Sequence, residues 1–453
     1  MSMKKLSLIV FASSFFFFTS CKKVQDNWKP DITPEKLTVT ISYPSGPEFA
    51  GMPLNNFPVV IKSERSLRYD TLYTNANGTV VFNNLDRGVY LISSFRKFSE
   101  NEMQAFTGVA RVVAFNGTIG SFQLNAGGGN ASIQLAAGSF GSLLLKQLYY
   151  VGSGTQGAST RDQFVEIYNN TADTLYADSL YFGSALGINT KYIDLTPATT
   201  PYILADTRQY DWTKSLIPTG APALGTNANT SFVYANNLFR IPGNGKTYPV
   251  APGTSIIIAA SAVNHKAPYV AANGSGVTVA NPDLTVDLST ADFEVYLRGL
   301  IPIPSPTDID NPAPNLQLIK VTGTDLTLSL QRNGFFIFKT REEVNNWFSY
   351  PDPSTTRITT STQLYVQVPK KYIIDAVETQ FATSTVITSS DLAPIKFSPD
   401  MDAGFGYCNG TNNSQALMRK TDSVTVGGRK ILRDTNNSSN DFELRPRAVP
   451  RGF

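Results

Sequence analysis

Histidine is nearly absent from this 453-residue chain, which holds one, and cysteine occurs twice. That shortage excludes most zinc, haem, Ser-His-Asp and Cys-His chemistry, each of which needs several such side chains converging on one point. Charge is scarce too, at 16% of residues with a balance of +3. A protein that neutralises nucleic-acid phosphates would show a basic excess or stripe, so nucleic acid is not an expected partner. No repeat of 20 to 50 residues recurs, which disfavours a propeller or a solenoid. The glycine triplet Gly127–Gly129 lacks the Gly-Lys-Ser/Thr ending of a phosphate cradle and reads as a hinge. Apolar residues, in contrast, make up 42% and aromatics 11%. Those fractions are ample for packed cores and rule out global disorder.

The first twenty residues read as a targeting segment rather than as part of the fold. Lys4 and Lys5 give a positive start, and Leu6–Phe18 form an apolar stretch of 13 residues, too short for an ordinary transmembrane helix. Elsewhere no run of 18 apolar residues occurs. Phe18-Thr19-Ser20-Cys21 follows and resembles the lipobox of bacterial lipoproteins. It implies cleavage before Cys21 and acylation of that cysteine, and the Phe-rich leader resembles those of Bacteroidetes. The mature chain would then keep 433 residues and a balance of +1, with Cys408 as its only thiol, which allows no internal disulfide. Cys408 reads as a partly buried small hydrophobe.

Residues 21–36 are polar, carry prolines and read as a tether. From Leu37 the chain becomes short alternating strands. Tyr73–Phe82 holds an Asn-Gly turn between strands, and Asn84–Tyr90 a second tight turn. The run TNANGTVVFNNLDRGVYLI resembles the prealbumin-like or carboxypeptidase-regulatory-like Ig sandwich, which implies a first domain over 37–136. Its boundary is expected at Ala126–Gly129 or Ala137–Gly141, where glycines cluster.

Beyond the boundary, Gln163–Leu180 (QFVEIYNNTADTLYADSL) resembles the opening of a lamin-tail domain, another Ig-like sandwich. Val250–Ala259, Leu326–Leu330 with Phe335–Phe338, Ile373–Val377, Met418–Lys420 and Asp434–Phe442 resemble its later strands in order. Together these stretches resemble the Bacteroidetes lipoprotein family DUF4876. The resemblance implies an all-β protein: a small Ig-like sandwich and then, over 137–453, a lamin-tail-like sandwich with long insertions at 185–250 and 260–320. Such sandwiches need only about 100 residues, so the insertions are ordered loops or added strands. Arg341–Phe348 is the one helical pattern, of about two turns.

Candidate functional residues are few. His265 lacks a second histidine and reads as a hydrogen-bonded structural residue. Asp434-Thr-Asn436-Asn437 and Asp400-Met-Asp402 are oxygen-rich enough for calcium but lack its loop pattern, so turn-capping explains them more simply. An enzyme would have to run on carboxylates such as Glu166, Asp178, Glu294, Asp375 and Glu378. Glu166 lies between Val165 and Ile167, and is expected either to face solvent or to pair with a cation such as Arg161 or Arg419. Aromatics in a β-sandwich are more often core or loop anchors than a sugar platform, and Tyr210 and Trp212, which share a loop, form the best pair for stacking a sugar. Asp70, Asp173, Asp178 and Asp422 open Asp-Ser/Thr-aliphatic triplets that resemble a Bacteroidetes O-glycosylation signal.

Two function classes follow, neither needing a cofactor or metal. The first is a non-catalytic outer-membrane lipoprotein, held by its lipid and binding a ligand or partner; the class it resembles implies a TonB-dependent transporter. The second is a surface protein that binds or processes glycans through Tyr210, Trp212 and Glu166. One acid after Cys21, Asp26, only mildly favours the cell surface over the periplasmic leaflet.

Overall fold

The computed structural model describes residues 34–43, 49–63, 69–107, 113–139, 143–188, 200–323, 326, 328, 332–380 and 396–453. The leader, Cys21 and most of the tether lie outside the described residues, as do parts of the expected Leu326–Leu330 strand. Strand accounts for 41% of residues and helix for 6%, so the all-β expectation holds.

The first part comprises β1 (Glu35–Ser42), β2 (Pro58–Ser63), β3 (Tyr69–Tyr73), β4 (Thr79–Leu85), β5 (Gly88–Phe98), α1 (Glu100–Thr107), β6 (Val113–Leu124), β7 (Gly129–Gln134) and β8 (Ala136–Ser139). A sheet of order β4-β1-β7 and a sheet of order β3-β2-β5-β6-β8 share one core. In β1 the alternation is clean: Leu37, Val39 and Ile41 are buried while Lys36 and Ser42 are exposed. Each such buried side chain stabilises the fold by about 1.5–3 kcal/mol. Phe49, Phe57, Phe98 and Phe115 fill the middle, with Phe49 and Phe115 edge-to-face at 4.9 Å.

Three expectations change here. The Asn-Gly turn does not close a hairpin, because β3 pairs with β2 and β4 with β1, so the turn carries the chain from one sheet to the other. Gly78 is required there: its φ is +71° and a Cβ would lie 2.8 Å from the Ile41 carbonyl oxygen. The glycine triplet is the β6–β7 turn and not a hinge or boundary, pinned by the Gly127 N–H donating to Glu35. Finally, the tether ends before Glu35, which is buried in β1 and paired with Arg87 at 2.7 Å.

The second part holds β9 (Leu143–Tyr149), β10 (Phe164–Asn169), β11 (Leu175–Tyr176), β12 (Leu180–Ala185), β13 (Phe232–Arg240), β14 (Pro249–Val250), β15 (Ser255–Ala259), β16 (Tyr269–Val270) and β17 (Gly276–Val277). It continues with β18 (Phe293–Glu294), β19 (Gln317–Lys320), β20 (Asn333–Lys339), β21 (Ser349–Pro351), β22 (Leu364–Pro369), β23 (Ile373–Thr379), β24 (Ala416–Arg419), β25 (Thr421–Val424), β26 (Lys430–Leu432), α2 (Ser438–Asp441) and β27 (Phe442–Arg445). One sheet runs β18-β15-β10-β9-β24-β27, the other β21-β22-β13-β12-β20-β23 with β19 beside β13. Leu145, Val165 and Ile167 of the first meet Phe182, Phe239 and Ile337 of the second in the main core. A further core on the outer side of the second sheet packs Phe336 and Phe338 under Trp347 and Phe397. Strands β9, β10 and β12 are consequently buried on both faces.

The expected helix at Arg341–Phe348 is a single 3-10 turn at Val344–Asn346, and α1 is the helix that periodicity misses. A local signal marks α1 nonetheless. Ser99 and Glu102 form a capping box, with the Ser99 N–H donating to Glu102 at 2.7 Å and the Glu102 N–H to Ser99 at 3.3 Å. Among the described residues no helix is long and apolar enough to cross a membrane.

Candidate functional site

The pairing of β10 with β9 slips by one residue between Glu166 and Ile167, so that Lys146 becomes the extra residue of a bulge. A bulge turns two consecutive side chains toward the same neighbour. Lys146 accordingly reaches Glu166 Oε1 at 2.8 Å, while Gln147 Nε2 donates to Oε2 at 3.0 Å. Ser255 on β15 also donates to Glu166, and the Arg451 N–H does so at 3.2 Å. The residues near the C-terminus cover this group, and the Phe453 ring sits 3.7 Å from Lys146 Nζ. Burial lowers the Lys146 pKa, and Glu166 pulls it back toward the charged form. Glu166 therefore neither faces solvent nor pairs with Arg161 or Arg419. It is a fully buried structural ion with every lone pair occupied, closed to a ligand.

A second buried charge cluster joins the two sheets. Arg419, at the end of β24, contacts Asp375 of β23 through 2.7 and 2.8 Å bonds, Asp434 at 3.3 Å and Asp441 at 3.5 Å. Its remaining N–H groups donate to the carbonyls of Leu145 and Arg433. Asp375 also accepts from the Leu145 N–H at 2.6 Å, so the carboxylate ties β23 to β9 directly. Burial pushes both Asp375 and Asp441 up to about 7 against the pull of Arg419.

The other carboxylates hold loops. Asp178 takes the N–H groups of Gly245, Thr247 and Tyr248 at 2.8–3.0 Å. Burial opposes its charge, but those bonds win and bring it to about 2. Glu294 accepts from Ala262 and twice from Asn311, and Glu378 from the N–H groups of Lys396 and Phe397. The two calcium-like clusters are neighbours held by turn-capping: Asp402 takes the N–H groups of Glu378, Gly404 and Ser438, and Asn437 caps α2. No group of three or more histidine, cysteine or acidic side chains placed to hold a metal occurs among the described residues.

Tyr210 and Trp212 do not make a sugar platform. Trp212 is 6% exposed and lies flat on Tyr234, with centroids 3.4 Å apart. The Tyr210 hydroxyl donates to Asp352 at 2.8 Å. The cavity between these rings and Lys370 measures about 30 Å³, room for one water and not for a sugar ring. Cys408 is buried, and burial raises its thiol to about 12, too high for a nucleophile at neutral pH.

His265 is buried with Nε2 3.1 Å from the Ser261 carbonyl, and burial lowers its pKa from 6.5 to about 4. Folding thus favours the neutral ring. Its contribution is complete above about pH 6.5 and is lost as pH falls toward 4, worth about 3 kcal/mol at 1.36 kcal/mol per unit. Urea denaturation at pH 7 and pH 4.5 should show wild type losing this margin relative to His265→Asn.

Sheets that share cores between their faces, with acids spent on buried pairs and loop closure, define an all-β sandwich protein. Residues 251–449 match the model of DUF4876, a family of unknown function. The crystal structure of a DUF4876 family protein from Bacteroides thetaiotaomicron is similar at 23% identity and a TM-score of 0.50, covering 90% of this chain and 95% of that one. A DUF3823 family protein from Bacteroides ovatus is matched at 14% identity and a TM-score of 0.15, over 50% of this chain and 98% of that one. The likeness to the Bacteroides thetaiotaomicron protein concerns the fold alone. No curated protein matches the chain.

Proposed function

We propose that this chain is a non-catalytic envelope lipoprotein, anchored through Cys21 to the outer membrane, that works by binding a ligand or partner. The observation carrying this reading is the use of its acids. The five candidate carboxylates named above, Glu166, Asp178, Glu294, Asp375 and Glu378, are buried and engaged with cations or backbone N–H groups. A general acid or nucleophile needs open access to substrate. A transporter of the TonB-dependent class fits as the partner because lipid anchoring would place the chain beside it.

Cys21→Ser tests the anchor. A triacyl group contributes about 0.8 kcal/mol per buried methylene, so the variant should leave the membrane fraction for the soluble one. Retention in the membrane after a salt wash contradicts the anchor. Affinity capture from detergent-solubilised envelopes tests the partner. A co-purifying outer-membrane transporter supports it, and a glycosidase assembly would favour the carbohydrate role instead.

A further inference from the structure

The basic residues are unevenly placed. Residues 419–453 hold eight Lys/Arg against four Asp/Glu, whereas residues 34–418 hold 25 against 29. The excess gathers around a cleft of about 350 Å³ beside β24 and β27, the β25–β26 hairpin and Phe453. That volume suits a small molecule. Its floor includes Arg419, whose charge is already committed to Asp375, Asp434 and Asp441. Four further cations line it: Lys420, Lys430, Arg433 and Arg445, each half-buried, against the single carboxylate of Glu443.

Their existing partners leave donors over. Lys420 donates to the Asn440 carbonyl at 2.7 Å, and Lys430 rests 3.8 Å from the centre of the Phe453 ring. Arg433 meets the exposed Asp422 at 3.4 Å, and Arg445 meets Glu443 at 2.9 Å, both weak contacts in water. The Nε of Arg445 is buried with no hydrogen-bond partner. A buried N–H left unpaired costs about 1–3 kcal/mol, which a side-chain shift that opens it to an acceptor oxygen would recover. Two ammonium and two guanidinium groups around one small cleft match a compact, doubly charged oxyanion with three acceptor oxygens.

We propose that this cleft binds the phosphoryl group of a phosphomonoester, with Arg445 and Lys430 as its main contacts. The cleft exceeds a bare phosphate, so the ligand carries an organic part as well. This rests on the binding role above and names the chemistry of one ligand.

The test is calorimetric titration of the full-length protein in detergent with glucose 6-phosphate and, separately, flotation with phosphatidic acid vesicles against phosphatidylcholine vesicles. Saturable binding of the sugar phosphate but not of glucose indicates a soluble ligand. Binding only to phosphatidic acid vesicles indicates a lipid headgroup. Either supports the cleft if Arg445→Met and Lys430→Gln each weaken binding at least tenfold with the circular dichroism spectrum unchanged, while Lys266→Gln, a remote exposed lysine, does not. Binding to neither probe, or equal weakening by Lys266→Gln, overturns it. Absent anion binding together with a partner still captured from envelopes would refute the cleft and leave the general binding role standing.

Discussion

Replacing Arg419 by methionine should lower the unfolding free energy by about 3–5 kcal/mol, the usual cost of stranding buried charge. One guanidinium is shared here by three carboxylates, of which Asp375 and Asp441 are nearly solvent-free. Removing it leaves those acids without a cation between two sheets, and the Leu145 and Arg433 carbonyls without a donor. The pH dependence has a definite sign. Both acids already titrate at about 7 in the folded state, far above their ordinary 3.8. Such a raised group favours folding below its unfolded pKa, and that support is lost as pH rises through 4 to 7. Without Arg419 their folded pKa values rise further, so the deficit of Arg419→Met should be larger at pH 8 than at pH 5. Urea denaturation at the two pH values measures it. A loss below 1 kcal/mol, or a deficit greater in acid, would contradict the cluster's role.

Glu166→Gln should carry a penalty of similar origin. The amide keeps the shape but leaves the Lys146 ammonium buried beside Phe453 with no opposing charge. The expected loss approaches 3 kcal/mol and is moderated because burial already lowers the pKa of Lys146, letting it shed its proton. Lys146→Met/Glu166→Leu should recover most of that stability, since a buried pair replaced by apolar groups is often neutral. A double-mutant cycle read by urea denaturation reports the coupling. Additive single losses would show that the two groups do not act as a pair.

The strand content and much of the strand order were legible in the sequence, because alternation and turn residues are local signals. The first sandwich reads well: β1 and the turns after β3 and β4 stand where the pattern puts them. Partners of the buried charges did not read. Asp375 and Arg419 are 44 positions apart, and only the closure of the two sheets brings them together. The motifs around Ile373–Val377, Met418–Lys420 and Asp434–Phe442 were visible singly, yet their meeting at one guanidinium was not. Lys146 escaped notice because a bulge, which composition does not announce, turns it toward Glu166. For Glu166 itself, alternation left open a solvated strand residue or a cation pair between the sheets, and the pair is what forms, with Lys146 as the cation. The residues leading to Phe453 cross that outer face and bury it. Tyr210 and Trp212 follow the commoner use of sandwich aromatics, as loop anchors. A loop aromatic is as useful for anchoring the loop as for meeting a ligand, and the stacking of Trp212 on Tyr234 spends it inside.

The non-catalytic reading stands or falls on whether any of these acids does chemistry. A broad glycan and ester hydrolysis screen of the full-length protein, run beside Glu166→Gln at a temperature where circular dichroism shows both folded, addresses that directly. Wild type should turn over no substrate in the panel. Turnover by wild type, abolished in a folded Glu166→Gln, would contradict the structural role and make Glu166 a catalytic residue.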